Sequence, residues 1–357
     1  MKKFVSILAA GALLATLLAG CGSNSGSSSA AVDSSAPESS SASEPASEST
    51  ASGTGLKFGL GLVTELSGTD ATADKDGKGE AAVTAAGVLL DAEGKVLSCC
   101  IDVMDASMPF TAEGAMNIAE GTEFASKQAL GAGYGMVGAS GIGKEWNEQA
   151  DAFAAWAVGK TAEEIAAGVG EDGKATDADL AAGCTVGASA FVEAMDKAIA
   201  NAKDCTASET GTVRLAMVAD ASSSKDAADG KDGTAQADVT VSAVALNAEG
   251  VVTASALDVV EAKITFDATG VVTSDLAAPT TKQELGADYG MVGASGIGKE
   301  WFEQADAFAA WTVGKTADEI AAGVGEDGKA VDADLAAGCT VGASAFVAAA
   351  VAAATVA

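Results

Sequence analysis

Hydrophobic residues concentrate in two pairs of β-rich segments, and a short polar turn divides each pair. The segments are residues 79–90 and 95–104, around Asp91-Ala92-Glu93-Gly94, and residues 236–246 and 251–260, around Asn247-Ala248-Glu249-Gly250. An Asp or Asn followed by Gly between two β-rich runs is typical of a hairpin. Each pair therefore predicts two antiparallel strands.

Further along the chain, the apolar positions take the period of a helix. Trp146, Ala150, Phe153 and Ala157 follow one another at intervals of four, three and four residues. This spacing places all four side chains on one face and predicts an amphipathic helix over residues 144–158.

Two shorter helical segments follow. Thr161 and Glu164 have the spacing of a capping box, in which each side chain bonds the other residue's backbone, and this predicts the start of a short helix. Residues 187–202 carry apolar side chains on one side and predict a last helix. Strands first and helices afterwards predict an α+β fold.

The chain contains this module twice. Residues 128–192 and 283–347 align without a gap and differ at six of 65 positions. Each copy spans about 145 residues, which is long enough to form its own core. The sequence therefore predicts two tandem copies of an antiparallel sheet followed by packed helices. Their bounds are 56–203 for the first repeat, 204–211 for a linker and 212–357 for the second repeat.

Composition excludes several classes of function. The formal net charge is −30, and Arg214 is the only arginine, so the surface repels nucleic acid and offers almost no bidentate phosphate contact. The chain has no histidine, which excludes Ser-His-Asp and Cys-His catalysis and imidazole metal sites. The remaining Asp and Glu pairs have no locating motif. We therefore expect neither an enzyme nor a metal site.

The N-terminus resembles a bacterial lipoprotein signal. Met1-Lys2-Lys3 is basic, residues 4–18 are apolar, and Leu18-Ala19-Gly20 leads into Cys21. The resemblance implies that residues 1–20 are a signal peptide and that lipidated Cys21 anchors the exported protein to the membrane at the bacterial cell surface or envelope. An uncleaved membrane helix is the alternative, but the apolar run is shorter than the roughly 20 residues that a span needs.

Residues 21–55 differ in composition from the rest of the chain. They consist almost entirely of Ser, Ala, Gly, Glu, Pro and Thr, which bury too little apolar surface to offset the entropy of ordering. The sequence therefore predicts a disordered tether between the anchor and the repeats.

Five further cysteines are present, and no two of them have CxxC spacing. Cys184 and Cys339 occupy equivalent apolar contexts and are interpreted as small buried side chains. Cys99 and Cys100 alternate across a predicted strand, so they point to opposite faces and do not bond each other. The redox states of these four and of Cys205 stay open.

Three motifs resemble ligand-binding loops without completing them. Gly138–Lys144 and Gly293–Lys299 have P-loop spacing, but Glu145 and Glu300 stand where Ser or Thr would hold magnesium. We interpret these segments as glycine-rich turns into a helix. The GxGxxG at Gly133–Gly138 lacks a surrounding βαβ unit and is interpreted as a loop.

Two acidic loops lack calcium-binding spacing as well. Their carboxylates are Asp70, Asp74 and Asp76 in the first repeat and Asp226, Asp229 and Asp232 in the second. Thr72 interrupts the alternation of ligands in the first loop. We interpret both as solvated loops.

Two segments carry a resemblance to a known family. Residues 88–103 contain the strand pattern V-x-L-D-A-E-G-K-V-x-x-x-x-I-D-V, and residues 176–189 end in Gly187-Ala188-Ser189. Together they resemble the FMN-binding domain family of bacterial envelope proteins, many of which are lipoproteins of extracellular electron transfer. In that family a closing hydroxyl holds FMN through a phosphoester. Val186 and Val341 stand where the family has Ser or Thr.

The resemblance implies a flavin site in each repeat. Ser189 and Ser344 would bear the FMN phosphate, and each follows a Gly-Ala pair, Gly187-Ala188 and Gly342-Ala343. A flavin transferase or an envelope redox protein would be the partner. A free helix N-terminus at this point would favour the phosphate. The alternative is that both serines cap helices.

Two functions therefore stay open. The first is ligand binding, with flavin as an electron carrier or with a non-covalent ligand stacked on the aromatic residues of each repeat. These residues, with two methionines, are Tyr134, Met136, Trp146 and Trp156, and Tyr289, Met291, Trp301 and Trp311. Core packing is the simpler interpretation of this cluster. The second function is that of a non-catalytic structural or adhesive module of the envelope, whose duplication adds avidity.

Overall fold

Two antiparallel sheets form the centre of the computed structural model, which describes residues 55–119 and 121–355. The first sheet has the strand order β3-β2-β1-β4, and the second has the order β5-β6-β7. The strands are β1 (Lys57–Thr69), β2 (Gly77–Leu90), β3 (Val96–Phe110), β4 (Lys203–Asp204), β5 (Thr212–Asp220), β6 (Gly233–Leu246) and β7 (Val252–Phe266). The hairpins β2–β3 and β6–β7 confirm the predicted strand pairs. Strands β1 and β5 were not predicted.

Helices follow the strands in each repeat, which confirms the α+β fold. In the first repeat they are α1 (Lys127–Leu130), α2 (Trp146–Ala157), α3 (Ala162–Ala167), α4 (Ala178–Gly183) and α5 (Ser189–Ala200). In the second they are α6 (Lys282–Leu285), α7 (Trp301–Thr312), α8 (Ala317–Ala321), α9 (Ala333–Gly338) and α10 (Ser344–Ala354). The predicted capping box of Thr161 and Glu164 begins α3. In the part of the chain described here, no helix is long and apolar enough to cross a membrane.

The elements stack in four layers. The two sheets pack face to face, with β1 against β7 and β3 against β5. Helices α2 and α5 cover the outer face of the first sheet, and α7 and α10 cover that of the second. Both faces of each sheet are therefore inside the molecule, and Val83–Leu90 of β2 is buried at every position. This explains why β2 is a continuous apolar run without the alternation of a half-exposed strand.

An approximate twofold axis relates the two repeats. The rings of Phe110 and Phe266, which are equivalent residues, stack on each other with centroids 4.0 Å apart and planes 1° from parallel. Backbone bonds are reciprocal in the same way, since Ala71 N donates to Gly270 O (2.8 Å) and the equivalent Ala227 N donates to Gly114 O (2.7 Å). Such an isologous contact is what a symmetric dimer would have, here within one chain.

The acidic loops take part in this contact. Asp226 Oδ1 accepts a hydrogen bond from Met116 N (2.7 Å), and the equivalent Asp70 Oδ1 accepts one from Val272 N (2.8 Å). Each carboxylate therefore binds the backbone of the other repeat, while both aspartates stay exposed, as a solvated loop predicts.

The repeats share one central core, although the sequence predicts a separate core for each. Inner-face residues of both sheets, such as Leu62 and Met104 of the first and Val241 and Ile264 of the second, form a single buried cluster. The physical reason is that each sheet has two apolar faces and its own helices cover only the outer one. The predicted linker, residues 204–211, also packs against the body, because Cys205 N donates to Leu56 O (3.0 Å) and Ala207 is buried.

Candidate functional site

The two serines of the flavin resemblance lie on the surface, at the first residues of α5 and α10. The N-cap residues are the buried Ala188 and Ala343, neither of which makes a side-chain capping bond. Ser189 and Ser344 therefore do not cap these helices, and that alternative is wrong. Gly187 and Gly342 are exposed, and a Cβ atom added to either would meet nothing within 4 Å.

The surroundings of Ser189 are acidic. Ser189 lines a shallow cavity of about 430 Å³ together with four carboxylates, those of Glu163, Glu171, Glu193 and Asp196. No lysine or arginine lines this cavity. The local charge therefore opposes an anionic phosphate at Ser189. In the second repeat, alanine and valine stand at the positions of Glu193 and Asp196.

The segments with P-loop spacing are turns, as predicted, and a carboxylate of the same chain binds the backbone just before each turn. The carboxylate of Glu145, the N-cap residue of α2, accepts hydrogen bonds from Met136 N (2.7 Å) and Val137 N (3.3 Å). Glu300 does the same with Met291 and Val292. Inside the first turn, Ile142 N and Lys144 N donate to Ser140 Oγ (3.4 and 3.3 Å), so these N–H groups already have a partner in the chain.

The aromatic clusters serve the helix–sheet packing. Trp146 is 4% exposed and meets the ring of Phe191 edge-on, with centroids 5.7 Å apart. Trp301 and Phe346 repeat this contact at 5.8 Å. The interpretation of Trp146 and Trp301 as core residues is confirmed.

The five cysteines among the described residues are free thiols. Cys184 and Cys339 are buried, as predicted. Cys99 and Cys100 do point to opposite faces: Cys99 Sγ lies 3.4 Å from Ala154 O of α2, and Cys100 packs against the central core. Burial raises the pKa of both thiols to about 12, so neither is a reactive thiolate at neutral pH. Cys21 lies outside the described residues.

A second cavity lies at the junction of the two repeats. It measures about 800 Å³, within the range of small-molecule sites. The start of β1, the end of α5 and strand β4 form one wall, and the start of β7 with α6 and α7 forms the other. We call it the junction cavity. Its lining includes Phe58, Leu60, Lys203, Asp204, Ser255, Asp258, Glu284, Phe302, Asp306 and Ala310.

Glycines in β1 shape the first wall. A Cβ atom on Gly59 would collide with the carbonyl oxygen of Ala198, and one on Gly61 with that of Ala194. Helix α5 therefore lies directly on β1, and the chain beyond it reaches β4 at the cavity. Strand pairing places Arg214 and Ala216 at the equivalent positions of β5, so the second repeat cannot form the same close contact.

Two ion pairs join the walls. Lys203 Nζ lies 2.8 Å from Asp306 Oδ2, and Lys197 Nζ lies 2.9 Å from Glu284 Oε1. Partial burial acts to raise the pKa of Glu284. The hydrogen bond from Lys197 outweighs this effect and holds that pKa below its usual value. Both lysines come from the first repeat and both carboxylates from the second.

A buried carboxylate stands at the back of the cavity. Asp258 Oδ1 accepts hydrogen bonds from Val259 N (2.7 Å) and from Gln283 N (3.0 Å) in the first turn of α6. Its equivalent, Asp102, accepts from Val103 N and Gln128 N in the first repeat. Burial raises the pKa of Asp102 to about 6 and that of Asp258 to about 7, although these hydrogen bonds oppose the shift.

Replacing both buried carboxylates by asparagine is expected to weaken the pH dependence of stability. An unfolded Asp titrates near pH 4, so the folded protein binds more protons between about pH 4 and pH 7 and its stability falls as the pH rises through that range. Asp102→Asn with Asp258→Asn should remove roughly 1–3 kcal/mol of this fall per site between pH 5 and pH 8. Urea unfolding of the wild type and of the double variant at pH 5 and pH 8 measures this difference in stability.

Alanine at the same positions is the control. Asp102→Ala leaves the N–H groups of Val103 and Gln128 without an acceptor, so it should be less stable than Asp102→Asn by about 1–3 kcal/mol at both pH values. If the asparagine variant loses more stability at pH 8 than at pH 5, the direction of the pKa shift is wrong.

Most of these residues carry no local sequence signal. Phe58 and Ser255 line the same cavity although 197 positions separate them, and no motif surrounds either. In the described residues, no group of three or more Cys, Asp or Glu side chains is arranged to hold a metal ion. No known protein family, curated protein or solved structure matches this chain.

Proposed function

We propose that this chain is a lipid-anchored envelope protein that binds a small molecule non-covalently in the junction cavity. The cavity itself is the observation that supports the proposal most strongly. It combines apolar side chains with a few polar groups, as ligand sites do. Its walls come from both repeats, so the duplication of the module creates the site.

Covalent flavin at Ser189 and Ser344 is less well supported. Both serines are exposed, and carboxylates without a compensating cation surround Ser189. A phosphoester at this position would add negative charge to an acidic surface.

Filling the junction cavity is expected to abolish ligand binding without unfolding the protein. Ala310 is an exposed residue of α7 that lines the cavity, so the indole of Ala310→Trp occupies the space without disturbing the core. The full mature protein should be screened with a small-molecule library by thermal shift, and hits confirmed by native mass spectrometry. A bound ligand raises the midpoint of wild-type unfolding, by mass action. The shift should disappear in Ala310→Trp.

The first repeat offers a matched control. Ala155 is the equivalent exposed residue of α2, outside the junction cavity, so Ala155→Trp should keep the ligand-induced shift. The proposal fails if no compound raises the unfolding midpoint, or if the two tryptophan variants respond alike.

A further inference from the structure

We infer that the ligand of the junction cavity carries a positively charged amine on an apolar body. This inference rests on the proposed function and names the ligand class of the same site. It is supported by the charges of the lining, the apolar side chains between them and one polar group without a partner.

Carboxylates outnumber cations in the lining. The acidic side chains are those of Asp204, Asp258, Glu284 and Asp306, against the single ammonium of Lys203, and burial leaves Asp258 only partly ionised at neutral pH. Asp204 makes no ion pair with any described lysine or arginine, and Lys203 and Lys197 neutralise only Asp306 and Glu284. A cationic ligand therefore enters a field that attracts it, whereas a carboxylate or phosphate is repelled.

The ion pair between Lys203 and Asp306 is exchangeable. The side chain of Lys203 is 72% exposed, and exposed pairs of this kind contribute little to stability. A ligand ammonium that reaches Asp306 competes with a weakly held lysine and not with a buried one. Asp306 stays in place because its other oxygen, Oδ1, accepts from Gln283 Nε2 at 3.2 Å.

Apolar side chains line the space beside the carboxylates. Phe58 and Leu60 lie on the β1 side and Phe302 on the α7 side, so an apolar body is covered from both walls. Phe302 is one of the six differences between the aligned repeats, and Asn147 takes its place in the first. The hydroxyl of Ser255, a residue of the same lining, is buried and has no hydrogen-bond partner.

Three probes that share a naphthyl group and differ in charge test which ligand charge the cavity prefers. Naphthylethylamine, naphthylethanol and naphthylpropanoate are titrated into the full mature protein by calorimetry at low salt. We expect the amine to bind at least tenfold more tightly than the alcohol, and the carboxylate most weakly. Asp306→Asn should weaken the binding of the amine about tenfold and leave the binding of the alcohol unchanged.

Asp151→Asn is the matched control. Asp151 is the equivalent carboxylate of α2 and accepts from Gln128 Nε2 (3.0 Å) in the same way, but it lies outside the junction cavity. This variant should bind the amine within twofold of wild type. Equal weakening by Asp306→Asn and Asp151→Asn would overturn the inference.

The remaining outcomes separate the ligand class from the site. If the alcohol binds as tightly as the amine and Ala310→Trp abolishes both, the amine class is wrong but the cavity remains a binding site. If no probe binds while another compound gives a shift that Ala310→Trp abolishes, the amine class is also wrong and the proposed function stands. If no compound gives a shift that Ala310→Trp abolishes, both the amine class and the proposed function fail.

Discussion

Expression of residues 56–211 without the second repeat is expected to give a self-associating protein and not a stable monomer. The inner face of the first sheet is apolar, and its residues, including Leu62, Val83, Met104 and Phe110, are at most 3% exposed in the whole chain. Removal of residues 212–357 exposes this face to water. An apolar face of this size drives association.

The approximate twofold axis makes a second copy a suitable partner. In a dimer of this fragment, Phe110 of the second copy takes the position that Phe266 has in the whole chain. Asp70 and Gly114 of the second copy accept the reciprocal hydrogen bonds from the backbone of the first. Sedimentation over a range of concentrations should show dimers or larger species. Mixing the fragment with residues 212–357 should restore a one-to-one complex. A monomeric fragment that unfolds cooperatively would show that each repeat has a sufficient core of its own.

Gly61→Val is expected to cause a large loss of stability for a single substitution. Valine favours a strand, so strand propensity alone predicts a gain. The added Cβ atom, however, would collide with the carbonyl oxygen of Ala194 and the amide nitrogen of Ala198, which belong to the backbone of α5. Because a backbone cannot rotate away as a side chain does, α5 must move off β1, and we expect a loss of about 3 kcal/mol or more.

The second repeat provides the control for this substitution. Ala216 occupies the position of Gly61 in β5 and already carries a Cβ atom. Ala216→Val should therefore change the free energy of unfolding by less than about 1 kcal/mol. Urea unfolding of the two variants compares them directly. Equal losses would contradict the close packing of α5 on β1 as the cause.

Local elements were predictable because neighbouring residues in the sequence cause them. The hairpin turn at Asp91–Gly94 and the capping box of Thr161 and Glu164 depend on contacts over two to four positions. The helix over residues 144–158 begins and ends within two residues of its prediction, at Trp146 and Ala157. The 65-residue alignment also predicted that both repeats have the same order of helices.

Pairing between the repeats was not predictable from the same patterns. A continuous apolar strand such as β2 indicates burial on both faces but does not say what covers each face. Strands β1 and β5 were missed. In β1 the glycines that weaken strand propensity, Gly59 and Gly61, are required by the close approach of α5.

The sequence by itself determined the duplicated module, its α+β class, its hairpins and helix starts, and the exclusion of histidine chemistry. Only the tertiary structure decided that the two sheets share a core, that Glu145 binds the backbone ahead of the glycine-rich turn, and that a cavity opens between the repeats. The physical reason is range. Turns, caps and helix periods depend on interactions within a few residues, whereas the junction cavity requires Phe58, Lys203 and Asp306 to meet, and only the packing of one repeat on the other brings them together.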